Sequence, residues 1–450
     1  MTHQVSNHAL AALLQQAGFE ARHGAFARQV NHELPGASRY DAASVYWWLR
    51  GRRPDEPVRK AIAAVLTRRI GRMVTPIHLG FDLGGAVAIA YPPTVVEAVD
   101  AAAGLWQLAS ARPDVLAAAA FIPEALLQAG MAWRYDPADT DRSRTTGCTR
   151  VTFADVEALT LYSTRYIDLD RRHGGGSGAT RTLLADFLNR QVSPMLRATY
   201  TDEVGKALLN AAAELAGQLG YMAWDAGEHG ASQRHLTTAL RLSKAADDPL
   251  YGAHVLANMA TQAIYLGHIR DALRLALAAV DRAARAPASV RARLYTTQAC
   301  AHAIAGDRPA CLRALRRAHA AVEASNPGDG PRWAGYFSPA HFAGTAARCF
   351  RDLKLPAKAL LHGPAALALP VDSGRTQALH HALLATVHTD ARNLDQAVDH
   401  GDQALAYAAT VNSLRVRSRI AELADRLRPH RDEPVVTAFF ERHHADLALV

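Results

Sequence analysis

The second half of the chain contains an internal repeat, and this repeat constrains the fold more than any other feature. Three glycines, Gly227, Gly267 and Gly306, are 40 and 39 residues apart, and each separates two stretches of helical period. Small or apolar residues follow each glycine at the fifth, ninth and twelfth places: Ser232, Leu236, Ala239, Ala272, Ala276, Ala279, Cys311, Leu315 and Ala318. Small residues at the fifth and twelfth places let two helices pack closely. The pattern predicts stacked helical hairpins, with two degenerate copies around 333–369 and 374–409.

The composition favours an all-α protein and disfavours two other classes. Alanine, which has the best helix propensity, is abundant, and alternating runs of β-branched residues are scarce. The most apolar window, 83–99, is interrupted by two glycines and two prolines, so we expect no membrane span. A polar N-terminus and scattered cysteines predict a cytoplasmic protein without a zinc module; the cysteines are Cys148, Cys300, Cys311 and Cys349.

Positive charge is concentrated in the first 75 residues. This segment holds eleven Lys and Arg against five Asp and Glu, a surplus of six positive charges out of a net charge of +8. A basic segment on a nearly neutral body is typical of proteins that bind a phosphate backbone. A merely solvated basic surface would have the same composition.

The same segment has the pattern of four short helices. Helical periodicity appears in four places: 8–18, 24–34, 42–50 and 56–71. Pro35 and Gly36 mark a turn after the second helix, Asp41 can cap the third, and Gly51 ends it. The apolar face of the third helix is Val45, Trp48 and Leu49. Four short helices with a turn between the second and third predict a helix-turn-helix module.

A helix-turn-helix module places its recognition helix in the major groove of double-stranded DNA. The residues predicted to contact DNA lie on the third helix and beside it: Arg39, Tyr40, Ala42, Ala43, Ser44, Tyr46, Trp47, Arg50, Arg52, Arg53, Arg59 and Lys60. Ala42, Ala43 and Trp47 stand where bases would be read, and they offer no paired hydrogen bonds. We therefore expect phosphate contacts through the arginines to supply much of the affinity.

Two resemblances to known protein families support the interpretation as a DNA-binding module. Val45, Trp48 and Gly51 match the Val-x-x-Trp-x-x-Gly pattern of the lambda-repressor-like family, and "FARQV" (26–30) is similar to its Leu-Ala-x-x-Leu second helix. The gap from Ala27 to Trp48 is longer than in compact members, which predicts an extended second helix or turn. Three stretches also resemble actinobacterial regulators that join such a head to tetratricopeptide repeats: 26–81, 154–176 and 333–353. This resemblance implies a homodimeric transcriptional regulator of development or secondary metabolism.

The patterns divide the chain into four segments. We predict a helix-turn-helix DNA-binding domain over 1–75, a helical connecting segment over 76–200, a tetratricopeptide-like domain over 201–430 and a capping helix over 431–450. The connecting segment shows helical patterns over 95–110, 113–133 and 153–169 and a glycine-rich loop over 173–178. This loop follows no strand and lacks the Lys-Ser/Thr ending of a phosphate loop, so a hinge or mobile loop is predicted.

The first helix of each hairpin in such a solenoid lines a concave face that suits extended peptides or partner helices. The candidate contact residues there, including the aromatic stretch after the Pro-Gly-rich break, are Tyr221, Trp224, Asn258, Gln262, Tyr265, Tyr295, Gln298, Trp333 and Tyr336. Each of them could instead serve packing alone.

No histidine, cysteine or carboxylate pattern indicates catalysis, so we expect no enzyme, no cofactor and no metal. Two functions remain open. One is a DNA-binding transcriptional regulator whose repeats mediate dimerisation and sense a peptide, a small molecule or a partner protein. The alternative is a non-catalytic scaffold or adaptor whose degenerate head works only through protein contacts.

Overall fold

The computed structural model describes residues 7–34, 39–50, 52–70, 74, 79, 81, 89, 91–140, 142, 149–281, 285–326, 328–370 and 373–448. These residues form helices and turns, with one isolated bridge between Arg150 and Thr199, so the all-α prediction is confirmed. They belong to two compact units, Met1–Ala88 and Ile89–Val450. Each unit is described by itself.

Four helices form the first unit: α1 (His8–Gln16), α2 (His23–Glu33), α3 (Ala42–Leu49) and α4 (Glu56–Ile70). They share one apolar core, in which α2 packs against both α3 and α4. The connection between α2 and α3 spans residues 34–41, so the long gap from Ala27 to Trp48 lies in this connection rather than in a longer helix. The predicted turn residues Pro35, Gly36 and Gly51 lie outside the described residues.

The second unit begins with a set of helices that precedes the repeats: α5 (Val95–Ala111), α6 (Pro113–Ala117), α7 (Pro123–Tyr135), α8 (Phe153–His173), α9 (Gly178–Phe187), a π-helical turn (Leu188–Val192) and α10 (Ser193–Leu196). The single helix expected over 113–133 is wrong, because the structure divides it. Ile122 adopts an extended conformation with φ −120° and ψ 98°. Pro123 disfavours the helical conformation for the residue before it, which explains the break.

Five helical hairpins and a C-terminal group follow: α11 (Asp202–Asp225) with α12 (His229–Ala245), α13 (Pro249–Tyr265) with α14 (Ile269–Asp281), α15 (Ala288–Ile304) with α16 (Arg308–Glu323), α17 (Pro339–Asp352) with the short α18 (Pro356–Leu360) and α19 (Gly363–Leu367), α20 (Gly374–Asp390) with α21 (Leu394–Ala408), and finally α22 (Leu414–Leu427), α23 (Pro434–Arg442) and α24 (His444–Leu447). Consecutive hairpins pack against each other. The predicted hairpin solenoid is therefore present.

Every hairpin turns through one residue with positive φ, two places before its second helix. Gly227 and Gly267 have φ 82° and Gly306 has φ 77°. In the two degenerate copies Lys354 and Arg392 take this place, at φ 60° and 59°. The small residues expected at the fifth and twelfth places are buried in all five copies: Ser232, Ala239, Ala272, Ala279, Cys311, Ala318, Ala359, Ala366, Ala397 and Ala404. The repeat is thus more regular in structure than in sequence.

The helices before the repeats pack against the hairpins and complete the unit. Helices α5, α6 and α7 contact α12, while α8 contacts α11 and α20. Arg241 on α12 is buried and donates two hydrogen bonds to the Asp139 carboxylate, at 2.8 and 2.9 Å. At the other end of the unit, Val436 and Phe439 of α23 are fully buried and α23 packs on α21.

Candidate functional site

The start of α3 is held in place by side-chain hydrogen bonds. Asn31 on α2 donates to the Tyr40 carbonyl and accepts from the Tyr40 N–H, both at 2.8 Å. Asp41 caps α3 by accepting from the Ser44 N–H at 2.9 Å, and the same contact lowers the pKa of Asp41. These contacts fix the direction in which α3 leaves the long connection.

Helix α3 buries one face and exposes the other. Val45, Trp48 and Leu49 are buried in the core of the first unit, as their spacing predicts. Trp47 is 49% exposed, and the Tyr46 ring lies edge-on to it at 5.5 Å. The Arg50 guanidinium donates to the Tyr46 hydroxyl at 2.9 Å. An indole, a phenol and a guanidinium therefore share the exposed surface of α3.

The remaining predicted DNA contacts are distributed unevenly. Exposed residues around α3 include Arg39, Ala42, Ala43, Arg50, Arg52 and Arg53, whereas Tyr40 and Ser44 are half-buried. Lys60 is exposed and pairs with Glu56 at 2.7 Å. Arg59 was expected to add to an exposed charged rim, but it is only 9% exposed and is therefore largely buried. The exposed arginines leave a cationic and aromatic surface that could approach phosphates.

The first helices of the hairpins, together with α8, α22 and the segment before α17, line two cavities in the second unit. We call the smaller one, of about 110 Å³, the aromatic cavity; its wall contains Asp170, Glu214, Gln218, Tyr221, Tyr251, His254, Asn258, Trp333, Tyr336 and Arg375. Four of the predicted contact residues meet in this wall: Tyr221, Asn258, Trp333 and Tyr336. They come from α11, α13 and the segment before α17, so the fold assembles them from three repeats.

The wall of the aromatic cavity is largely organised by internal contacts. The His254 and Trp333 rings lie against each other at a tilt of 38°, with centroids 4.7 Å apart. Arg293 bridges two of the predicted residues, because it donates to the Tyr336 hydroxyl at 2.9 Å and to the Asn258 side-chain carbonyl at 3.1 Å. The Asn258 amide is therefore already engaged.

Two other polar groups of this wall are less well paired. Burial raises the pKa of Glu214 to about 7. The side-chain amide nitrogen of Gln218 is buried and has no hydrogen-bond partner among the described residues. The aromatic cavity thus presents rings, an amide donor and a carboxyl group that titrates near neutrality.

The second cavity has a volume of about 180 Å³ and we call it the arginine cavity; its wall contains Trp224, Thr261, Tyr265, Thr345, Arg348, Arg351, Leu379, His380, Leu383, Arg415, Arg419 and Glu422. Arg415 stacks on Trp224, with its guanidinium carbon 4.2 Å from a ring centroid. Arg419 lies 5.3 Å from the Tyr265 centroid. Trp224 and Tyr265 were predicted contact residues, but the four arginines were not.

A buried cluster of charges, which we call the clasp, joins α8, α11, α20 and α22 beside both cavities. Arg375 donates to both oxygens of Asp170 at 2.9 Å and to Asp225 at 3.0 Å. Asp225 is fully buried and also accepts from the Ser413 hydroxyl at 2.8 Å, and it pairs with Arg415 at 3.4 Å. Burial by itself would raise the pKa of Asp225, but Arg375 and Arg415 lower it overall.

The glycine-rich loop, for which the sequence predicts a hinge or mobile loop, belongs to this clasp and is hydrogen-bonded to it. The Gly175 N–H donates to Asp225 at 2.9 Å, and the Gly176 N–H donates to the Asn412 carbonyl at 2.8 Å. A Cβ on Gly175 would lie 2.7 Å from the Met222 backbone, and one on Gly174 would collide with Asn412. The glycines are needed because two backbones approach each other closely there.

The structure separates the other predicted contact residues from the cavities. Gln262 is fully buried and donates to the His229 carbonyl at 3.1 Å. Tyr295 is 7% exposed and lies under Arg317 of the second helix in its own hairpin, 4.1 Å from the guanidinium carbon. Gln298 is half-buried and lines neither cavity. Sequence reasoning missed Asp170, Asp225 and the arginines because isolated charges on a helix normally read as solvent-facing.

Part of the first unit matches the model of a known domain family. Residues 10–82 match the family model of the SP15 N-terminal domain. One chain in the crystal structure of the APC/C hetero-tetramer Cut9-Hcn1 aligns with 14% identity and a TM-score of 0.33, over 88% of this chain and 68% of that chain. A likeness this distant carries no argument about fold or function. None of the curated proteins matches the sequence.

These findings leave the resemblance to lambda-repressor-like and actinobacterial regulators as a prediction. Within the described ranges, none of the helices combines the length and apolar character that a bilayer crossing needs. No group of three His, Cys, Asp or Glu side chains in the same ranges is arranged to hold a metal ion.

Proposed function

We propose that this protein is a non-catalytic scaffold or adaptor that binds a partner protein through the inner surface of its helical repeats. The observation that carries this proposal is the aromatic cavity, where residues from three repeats meet in one wall. Stacked hairpins provide surfaces of this kind because each repeat contributes its first helix to the same side.

The chemistry of the wall suits an extended peptide segment. Half-buried Tyr221 and Tyr336 provide flat apolar surface at little entropic cost, since each ring has only two side-chain torsions. The unpaired Gln218 amide can donate to a peptide carbonyl, and a buried donor that gains an acceptor adds specificity. Glu214, with its pKa of about 7, can accept from a peptide N–H when ionised.

A photo-crosslinking experiment tests this proposal. A benzophenone amino acid would replace Tyr336 in the wall or, as a control, Leu277, which is 42% exposed on a second helix. We expect a discrete covalent adduct with one partner only from position 336, and its loss when Gln218→Ala is added. Equal labelling from both positions, or an adduct that the Gln218→Ala variant leaves unchanged, would refute binding at this wall.

A second candidate function is a DNA-binding transcriptional regulator, and the exposed surface of α3 favours it. Arg39, Arg50, Arg52 and Arg53 are exposed around a half-exposed tryptophan, on a unit with most of the chain's excess positive charge. Arginines that neutralise phosphates release counterions, so binding would weaken steeply with salt. Dimerisation and a role in development or secondary metabolism belong to this candidate and rest on the resemblance alone.

Fluorescence anisotropy of the full chain with a pool of genomic duplexes, at several salt concentrations, distinguishes the two functions. A regulator should prefer some duplexes above roughly 0.15 M salt. In the Arg52→Ala, Arg53→Ala double variant the slope of log K against log salt should fall by about two. Arg274→Ala is the matched control, because Arg274 is exposed on α14 in the second unit. A chain without preference, whose binding vanishes at that salt, would act through protein contacts only.

A further inference from the structure

The arginine cavity has more positive than negative charge in its wall. Arg348, Arg351 and Arg419, together with the neighbouring Arg426, pair only with three carboxylates among the described residues: Asp352, Asp390 and Glu422. Arg415 is balanced separately, because it joins Arg375 in the clasp opposite two aspartates. One arginine charge in the wall therefore has no carboxylate of its own.

An uncompensated charge is costly at this degree of burial, since desolvation disfavours it unless an opposite charge is near. Arg348 has 25% and Arg351 only 9% of its side chain exposed. Burial and the neighbouring Arg348 guanidinium lower the pKa of Arg419. An anion in the cavity would remove this repulsion.

A second, independent observation points to an acceptor ligand. The Trp224 indole is 5% exposed, lies in the cavity wall, and its N–H has no hydrogen-bond partner among the described residues. A buried donor without an acceptor costs stability, and a ligand oxygen can satisfy it. The four guanidinium groups and the indole are donors and outnumber the Glu422 carboxylate, so the wall favours an acceptor.

Apart from its threonines and His380, the remaining wall provides flat apolar surface. Leu379 and Leu383 contribute aliphatic surface, and Trp224 and Tyr265 contribute rings. The volume of about 180 Å³ is close to that of cavities of roughly 150 Å³ that hold benzene. A free inorganic anion would leave this apolar surface uncovered.

We infer that the arginine cavity binds a monocarboxylic acid whose apolar body is about the size of benzene. Its carboxylate accepts hydrogen bonds from the arginines and the Trp224 N–H, and its body packs against the leucines and Tyr265. The carboxylate can belong to a free small acid or to the C-terminal residue of a peptide. This inference goes beyond the proposed partner surface and does not depend on DNA binding by the first unit.

Calorimetric titration of the full chain with benzoate tests the inference, and benzamide serves as the neutral probe of the same shape. We expect benzoate to bind and benzamide to bind at least about tenfold more weakly, because only benzoate can compensate the excess charge. Inorganic phosphate should bind more weakly than benzoate. Similar binding of benzoate and benzamide, absence of benzoate binding, or binding of phosphate alone would overturn the inference.

Variants locate the site. Arg419→Gln should weaken benzoate binding about tenfold or more, whereas Arg428→Gln, at an exposed arginine just after the end of α22, should not change it. Trp224→Phe keeps the ring and removes the unpaired N–H, so it should also weaken binding, and it provides the test if Arg419→Gln does not fold. Benzoate binding that both cavity variants retain would show that it binds elsewhere.

Binding of a short peptide that ends in phenylalanine, compared with binding of its C-terminal amide, shows whether the natural carboxylate belongs to a peptide or to a free small acid. An acid peptide that binds at least about tenfold more tightly than benzoate, while the amide does not bind, identifies a peptide C-terminus as the natural ligand class. A peptide that binds more weakly than benzoate identifies a free small acid. Both results support a carboxylate site.

Discussion

Replacing Asp225 with asparagine removes the central charge of the clasp while keeping its shape. Asp225 accepts from the Gly175 N–H and the Ser413 hydroxyl at 2.9 and 2.8 Å and pairs with Arg375 and Arg415 at 3.0 and 3.4 Å. At an effective dielectric constant of about 20, each pair has a gross Coulomb energy of about 5 kcal/mol. Desolvation offsets much of this, and removing one partner of a buried pair costs about 3–5 kcal/mol. We expect Asp225→Asn to lower the free energy of unfolding by that amount.

Urea unfolding followed by circular dichroism measures the effect, with Asp425→Asn as the control. Asp425 pairs with Arg428, and both side chains are about two-thirds exposed. This pair should therefore contribute no more than about 1 kcal/mol. A loss in Asp225→Asn no larger than in the control would refute the role assigned to the clasp.

The pH dependence of the same variant provides a second check. The pKa of Asp225 in the folded protein is lowered below its ordinary value of 3.8. A carboxyl with a lowered pKa contributes its full stabilisation above the unfolded pKa and loses it only as the pH falls through the folded pKa. The difference between the wild type and Asp225→Asn should thus stay constant from pH 7 to pH 5. A difference that shrinks within this range would contradict the assignment.

Three further predictions concern the turns, the histidines and the first unit. Gly306 has φ 77° and open space around it, so Gly306→Ala should cost about 1–2 kcal/mol of stability through backbone strain alone. Arg392→Gly, at φ 59°, should instead gain about 0.5–1 kcal/mol of stability. Urea midpoints of the two variants that do not move in opposite directions would refute this. Burial lowers the pKa values of His235 and His254 to about 3, so the folded state binds fewer protons than the unfolded state below pH 6.5. Each histidine should therefore lower the free energy of unfolding by about 1 kcal/mol between pH 7.5 and pH 5.5. A urea midpoint that does not change over this pH range would argue against it. Asn31→Ala removes both hydrogen bonds to Tyr40 and should lower the stability of the first unit by about 1–3 kcal/mol. The amides of α3 should then exchange hydrogen faster, and unchanged exchange would contradict this prediction.

The sequence by itself determined the local features of this protein. Helix caps, turn glycines and small residues at repeat spacing act over a few neighbouring residues, so their effect can be read from the order of residues. Gly227, Gly267 and Gly306 were recognisable for this reason, as was the buried face of α3. Lys354 and Arg392 were not, because a residue that is not glycine gives no sign that it will adopt positive φ.

Only the tertiary structure decided which residues form the sites. The clasp joins Asp170 with Arg375, which are 205 residues apart, and Arg375 with Asp225, which are 150 residues apart. Cys300 and Cys349 look isolated in the sequence, yet their sulfur atoms are 3.8 Å apart. A charge or a thiol on a helix has the same sequence signature whether solvent or a distant helix faces it, since its environment depends on how the hairpins stack. The arginine cavity, with its excess positive charge, therefore became visible only when α11, α13, α17, α20 and α22 were placed together.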